Sequence, residues 1–147
     1  EFRRVLFRSI VGFVVMLVSL AFTTLEFYSP VLVVTTALLT SLVFSLGGFI
    51  NAMFATKFDD ISIVPTFVLT PLTYLGGVFY SINLLDPFWQ GLSMANPILY
   101  MVNAFRYGVL GASDVGPVWA IAMLVVFAVV LFTVSLRLLD RGKGIRS

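Results

Sequence analysis

Few side chains in this sequence could do chemistry. Asp59 and Asp60 are adjacent carboxylates next to Lys57, and neighbouring carboxylates can hold a divalent cation or share acid and base roles. Two of them on one short segment, without further ligands, make a weak centre, so no metal site is expected. A solvated loop, or a contact to a partner protein through Lys57, Asp59 and Asp60, fits them better. Arg106 is the more informative charge, because long apolar stretches flank it on both sides. It is suited either to pair with Glu26, Asp86 or Asp114 or to meet a substrate directly. The chain has no cysteine and no histidine, which removes disulfides, thiol nucleophiles, Cys/His metal centres and every relay that needs an imidazole. It has no P-loop either, so any use of ATP belongs to another chain. No catalytic residue is assigned, and an enzyme ranks last among the readings.

Composition decides what must position these few residues. Of 147 residues, 60% are hydrophobic and 11% charged, against about 45–50% apolar and about 25% charged in an average soluble domain. A chain this short cannot wrap so much apolar surface in its own polar shell, so the shell must be lipid. Arg3, Arg4 and Arg8 with Glu1 carry the whole net charge of +2. The neutral remainder offers no continuous basic face, which excludes a nucleic-acid partner. Residues 1–9 open on Glu1-Phe2 without an initiating Met. Glu-Phe is what a common cloning site encodes, so this segment is expected to be a non-native scar, with the natural chain starting further upstream.

Beyond it, charge-free runs alternate with short clusters of charge and turn residues. The first run, residues 10–25, reaches about 24 Å as a helix, close to the roughly 30 Å of a bilayer core. No small-residue cleavage site follows it, so a span over about 10–26 is favoured over a signal peptide. Ser29 and Pro30 read as an N-cap and a first helical residue, opening a second span over about 31–56. Along it Ser41, Ser45, Gly48 and Ala52 share one face, and small side chains let another helix approach closely where lipid gives no hydrophobic drive. Helix packing is the favoured reading of that stripe, a substrate path the alternative. A third span, about 61–80, contains Pro65 and Pro71, which remove backbone donors and kink the helix, with Thr66, Thr70 and Thr73 at hand to satisfy freed carbonyls. Asp86-Pro87 and Asn96-Pro97 each read as cap plus first helical residue, giving two short re-entrant or interfacial helices within about 86–110. The last span, about 117–139, has a charge-free core, residues 115–136, that covers about 33 Å as a helix. The basic tail after it is cytoplasmic by the positive-inside rule. The fold expected is an all-α integral membrane bundle of four transmembrane helices plus a short external helix pair.

The stretch Pro71-Leu72-Thr73-Tyr74-Leu75-Gly76-Gly77-Val78-Phe79-Tyr80, then Leu84-Leu85-Asp86-Pro87-Phe88-Trp89, then Asn96-Pro97-Ile98-Leu99-Tyr100-Met101-Val102-Asn103-Ala104-Phe105-Arg106-Tyr107-Gly108 closely resembles the signature of ATP-binding-cassette (ABC) type-2 exporter permeases. The resemblance implies a six-span permease of the bacterial inner membrane that dimerises and docks two cytoplasmic nucleotide-binding subunits. Those partners, not this chain, would bind ATP and Mg. The present sequence looks like the last four spans, without the first two and the cytoplasmic coupling helix. Gly76, Gly77, Asn96, Pro97, Tyr100 and Arg106 match the motif, and the resemblance places them in an outer gate region. Family members move polysaccharides, lipids, antibiotics or other hydrophobic compounds. The competing reading is a non-transporting membrane scaffold or assembly protein. A proton- or ion-coupled carrier is disfavoured, because no acidic residue lies near mid-span.

With four spans, the Lys57 loop and the basic tail share the inner side, leaving Arg106 outside. A cysteine-free chain makes this measurable: in intact cells a membrane-impermeant thiol reagent should label Ser113→Cys and leave Ser147→Cys untouched. The reverse pattern would sink the topology.

Overall fold

A computed structural model describes residues 2–22 and 27–142. Among these, helices account for nearly all regular structure: α1 (Phe2–Phe22), α2 (Pro30–Phe54), α3 (Phe58–Val64), a π-helical segment Pro65–Leu69, α4 (Thr70–Tyr74), a 3-10 turn Ile82–Leu84, α5 (Pro87–Ser93), α6 (Pro97–Leu110) and α7 (Pro117–Asp140). Two of them, α2 and α7, are long and apolar enough to cross a membrane by length and composition. Residues 2–9 continue straight into α1. Glu26 and residues 143–147 of the basic tail lie outside the described residues.

The start signals act as read. Ser29 is extended at the N-cap of α2 and its Oγ accepts from Leu32 N at 3.4 Å, with Pro30 as first helical residue. Asn96 does the same for α6, its Oδ1 accepting from Ile98 N at 3.0 Å. Asp86 occupies the corresponding place before α5 and its side chain makes no capping bond. Proline alone, with its preset φ, starts that helix.

The packed unit is α2, α6 and α7. Its core is small: Leu99, Ala104, Ala120 and Leu124 are fully buried, joined by Val43, Tyr100, Met101 and Ala128. Helix α6 is the central element. It runs against the start of α2 so closely that the Ser29 amide donates to Gly108 O at 2.9 Å. A Cβ at Gly108 would come within 2.7 Å of Val33 Cγ2 and 3.2 Å of Val33 N. By contrast α1 is exposed along nearly all its length.

Two expectations need correction. The third span was placed at 61–80, yet the helical path ends at Tyr74. Gly76 N turns back to Thr73 O and Gly77 takes a left-handed φ of 70°, so the chain leaves the helix although its composition stays apolar. The stripe of Ser41, Ser45, Gly48 and Ala52 is not the packing seam within this chain. All four are exposed, and α2 instead buries Thr36 and Val43. Spacing put the four on one face, and that face is left open: Ser41 borders a groove beside α6, and Gly48 a cleft beside Ile98 and Leu131.

The close approach at Gly108 gives a stability test. Gly108→Leu should lower the stability of the detergent-purified protein by about 1–3 kcal/mol through overpacking, read as a lower thermal aggregation midpoint. Gly91→Ala, where nothing lies within 4 Å of the new Cβ, should cause no loss.

Candidate functional site: the junction of α4, α6 and α7

Four of the six motif residues converge where α4 ends against α6. Gly76 is buried, and a Cβ there would meet Ile98 Cγ2 at 2.7 Å, so only glycine lets the two helices touch at this point. Because Gly76 N bonds Thr73 O, the Leu72 carbonyl loses its helical donor, and Asn96 supplies one: Nδ2 donates to Leu72 O at 2.6 Å. Asn96 is 1% exposed, and its one amide both caps α6 and closes α4. Arg106 reaches the next carbonyl exposed by the turn, Nη2 donating to Gly77 O at 2.6 Å. Pro97 opens α6 beside this contact. Tyr100 sits deeper, its hydroxyl donating to Met94 O at 2.5 Å and its ring 6.4 Å from that of Phe127.

Of the two described acids among the expected partners for Arg106, Asp86 and Asp114, it is Asp114 that pairs with it, at 3.6 Å from Nη1. Asp114 is the hub of the junction. Its carboxylate accepts from Ser81 Oγ at 2.8 Å and Ile82 N at 3.0 Å, with Asn83 Nδ2 at 3.5 Å. Behind it Asn103, fully buried, accepts from the amides of Asp114 and Val115 with Oδ1 and donates to Leu99 O with Nδ2. Asn103 stands inside the motif stretch, but sequence reasoning gave it no role. The signal was available, since an amide amid apolar helix positions must find partners.

The remaining candidates lie elsewhere. Pro65 opens the π segment and Pro71 the first turn of α4. Thr70 Oγ1 donates to Pro65 O at 3.2 Å and Thr73 Oγ1 to Leu69 O at 2.8 Å, two of the hydroxyl bonds expected. Pro65 lacks the amide that would bond Ile61 O, and Asn51 of α2 fills the gap, Nδ2 donating at 2.9 Å. At the far end of α2, Asp60 folds the 55–58 turn, accepting from Thr56 Oγ1 at 2.7 Å, Lys57 N at 2.9 Å and Thr56 N at 3.1 Å. The Thr56 hydroxyl, then the Thr56 and Lys57 amides, hold its carboxyl below the ordinary value. This support is present at neutral pH and fades as pH falls through the lowered folded-state pKa. Lys57 and Asp59 are exposed. Among the described residues, no three potential metal ligands come together. A groove of about 750 Å³ between α1, α2 and α6 is lined by Ser19, Thr36, Thr40, Ser41, Phe105 and Arg106.

The junction fixes where α4 ends and how the 75–86 connection lies on α6 and α7. Asp114→Ala should leave Ser81 Oγ and Ile82 N without their acceptor and raise the rate of limited proteolysis between residues 78 and 85 several-fold. Asp114→Asn, whose oxygen can still accept from Ile82 N, should fall between. Equal cleavage in all three proteins would remove the role given to Asp114.

Comparisons with known proteins identify the family. The model of the ABC-2 type transporter family matches residues 3–110, which takes in α1 to α6 and begins inside the segment set aside as a scar. The chain is 56% identical over 137 residues to the inner membrane transport permease YadH of Escherichia coli (strain K12), covering 93% of this chain and 54% of that relative. It is 27% identical over 103 residues to nodulation protein J of Rhizobium leguminosarum bv. viciae, covering 70% of this chain and 40% of that one. The chain thus spans about half the length of the curated relatives it matches. No solved structure matches it. With its motif residues gathered at one junction of an all-helical fold, this chain belongs to the ABC-2 type transporter family.

Proposed function

We propose that this chain is part of the transmembrane permease subunit of an ATP-driven exporter in the bacterial inner membrane. The observation that carries the reading is the 56% identity over 137 residues to an inner membrane transport permease. Four crossings are assigned to α1, α2, the α3–α4 path and α7, with α5 and α6 on the outer side and the carboxy-terminus inside. The 25 residues of α2 and 24 of α7 support two of these crossings directly. The path from Ile61 to Tyr74 rises about 21 Å at 1.5 Å per residue, short for a crossing and helped by local thinning or flanking polar anchors. Arg137 and Arg141 near the end of α7, with Lys143 and Arg146 following in sequence, support an inner carboxy-terminus.

The energy source is a separate nucleotide-binding subunit that holds ATP and Mg, and the permease acts as a homodimer. The turn around Lys57, Asp59 and Asp60 lies on the side assigned to the cytoplasm and is the surface of this chain offered to that partner. The substrate is hydrophobic, lipid-like, a drug or a polysaccharide. The groove lined by hydroxyls, Phe105 and Arg106 suits a molecule with a long apolar part and a polar end.

The complete permease should co-purify with a P-loop ATPase. Substituting that partner's P-loop lysine should abolish efflux of the exported compound while leaving the complex assembled. Efflux that persists with the crippled ATPase would overturn the reading.

A further inference from the structure

The π segment of residues 65–69 sits in an unusual setting. On its outer side, residues 61–68 are all exposed. On its inner side lies a cavity of about 210 Å³, lined among others by Gly47, Asn51, Pro65, Leu69, Ile98 and Leu131. Neither Gly47 nor Gly48 has any atom within 4 Å of where its Cβ would stand. Gly48 is exposed and Gly47 half-buried, so the space is a cleft open at one side. Above and below, the arm formed by α3 and α4 is fastened by polar contacts: Asn51 to Ile61 O at one end, and Asn96 to Leu72 O and Arg106 to Gly77 O at the other.

A π segment inserts an extra residue into the α-helix around it, and such insertions kink helices and are frequent at functional sites. With both ends pinned by these three bonds, the segment between them can shift toward the cleft without breaking any of them. We propose that residues 65–69 are a joint that moves into the cavity against α2, α6 and α7, and that Asn51 is a positioning residue whose bond to Ile61 O keeps the lower half of the arm fixed while it does so. The cavity is the room for that motion. Glycine at position 47 keeps the room free, at the expense of the helix stability that a larger side chain would add. This motion stands apart from the export reading, since it requires neither nucleotide nor substrate.

The test uses the complete permease in lipid nanodiscs, with spin labels on Phe67→Cys in the joint and Val130→Cys on α7. Both positions are exposed, and labelled chains are diluted with unlabelled ones so that only distances within one chain are read. Two distance populations are expected in the otherwise unaltered protein. Gly47→Leu, which fills the cavity from α2, should lose the shorter population. Gly48→Leu serves the same purpose should the first variant not assemble. A single distance in the parent protein, or both populations persisting after the cavity is filled, overturns the proposal. Transport assays on the same variants then report separately on export, so loss of one reading leaves the other standing.

Discussion

A backbone carbonyl without a donor costs about 1–3 kcal/mol where water is scarce, and the arrangement of this chain follows from where such carbonyls arise. Proline removes a donor at Pro65, and the glycine turn at Gly76-Gly77 ends α4 before its last carbonyls are paired. In each case the missing donor comes from a different helix. Asn51 serves Ile61 O, Asn96 serves Leu72 O, and Arg106 serves Gly77 O. Buried irregular backbone persists only with such support. The breaks in the α3–α4 path therefore dictate which helices must stand beside it.

These polar fastenings matter more here than they would in a water-soluble bundle. Burying apolar side chains against each other gains little when the alternative is lipid. The core that α2, α6 and α7 share is small and built largely of alanine and branched aliphatic side chains. It brings backbones close, as at Gly108, without specifying by itself how the α3–α4 arm lies. Four side chains, Asn51, Asn96, Asn103 and Arg106, make tertiary bonds that fix the arm and the outer connection. Asparagine suits the task because its amide donates and accepts at once. Asn96 and Asn103 both use the two ends, each joining its own helix to a second segment.

Local signals were legible in the sequence and tertiary ones were not. Ser29-Pro30 and Asn96-Pro97 announced helix starts because the capping bond spans only two or three residues. The long apolar runs gave α2 and α7 nearly to the residue. The third span was placed too long because composition stays apolar through Tyr80, while the end is decided by the backbone turn at Gly77. The stripe of Ser41, Ser45, Gly48 and Ala52 was real as a common face, but periodicity cannot say what a face looks toward. Asp114 was one of three partners allowed to Arg106; its bonds to Ser81 and Ile82 join residues more than 30 apart. Asn51 gave no local hint, since the carbonyl it serves is created by a proline on another helix.

Arg106 illustrates how a charge can matter without much Coulomb energy. Its separation from Asp114 is 3.6 Å, and the two side chains are 26% and 16% exposed, so screening leaves the pair a modest attraction. The guanidinium earns its place through geometry, because a planar fork can bond Gly77 O and face Asp114 together. A lysine would offer a single ammonium to carbonyl and carboxylate with no fixed angle between them. Asp114 in turn is oriented by Asn103 through its own amide, so the chain of bonds runs from the buried face of α6 to the end of α4. The same residue types that looked like candidates for chemistry thus act on backbone position.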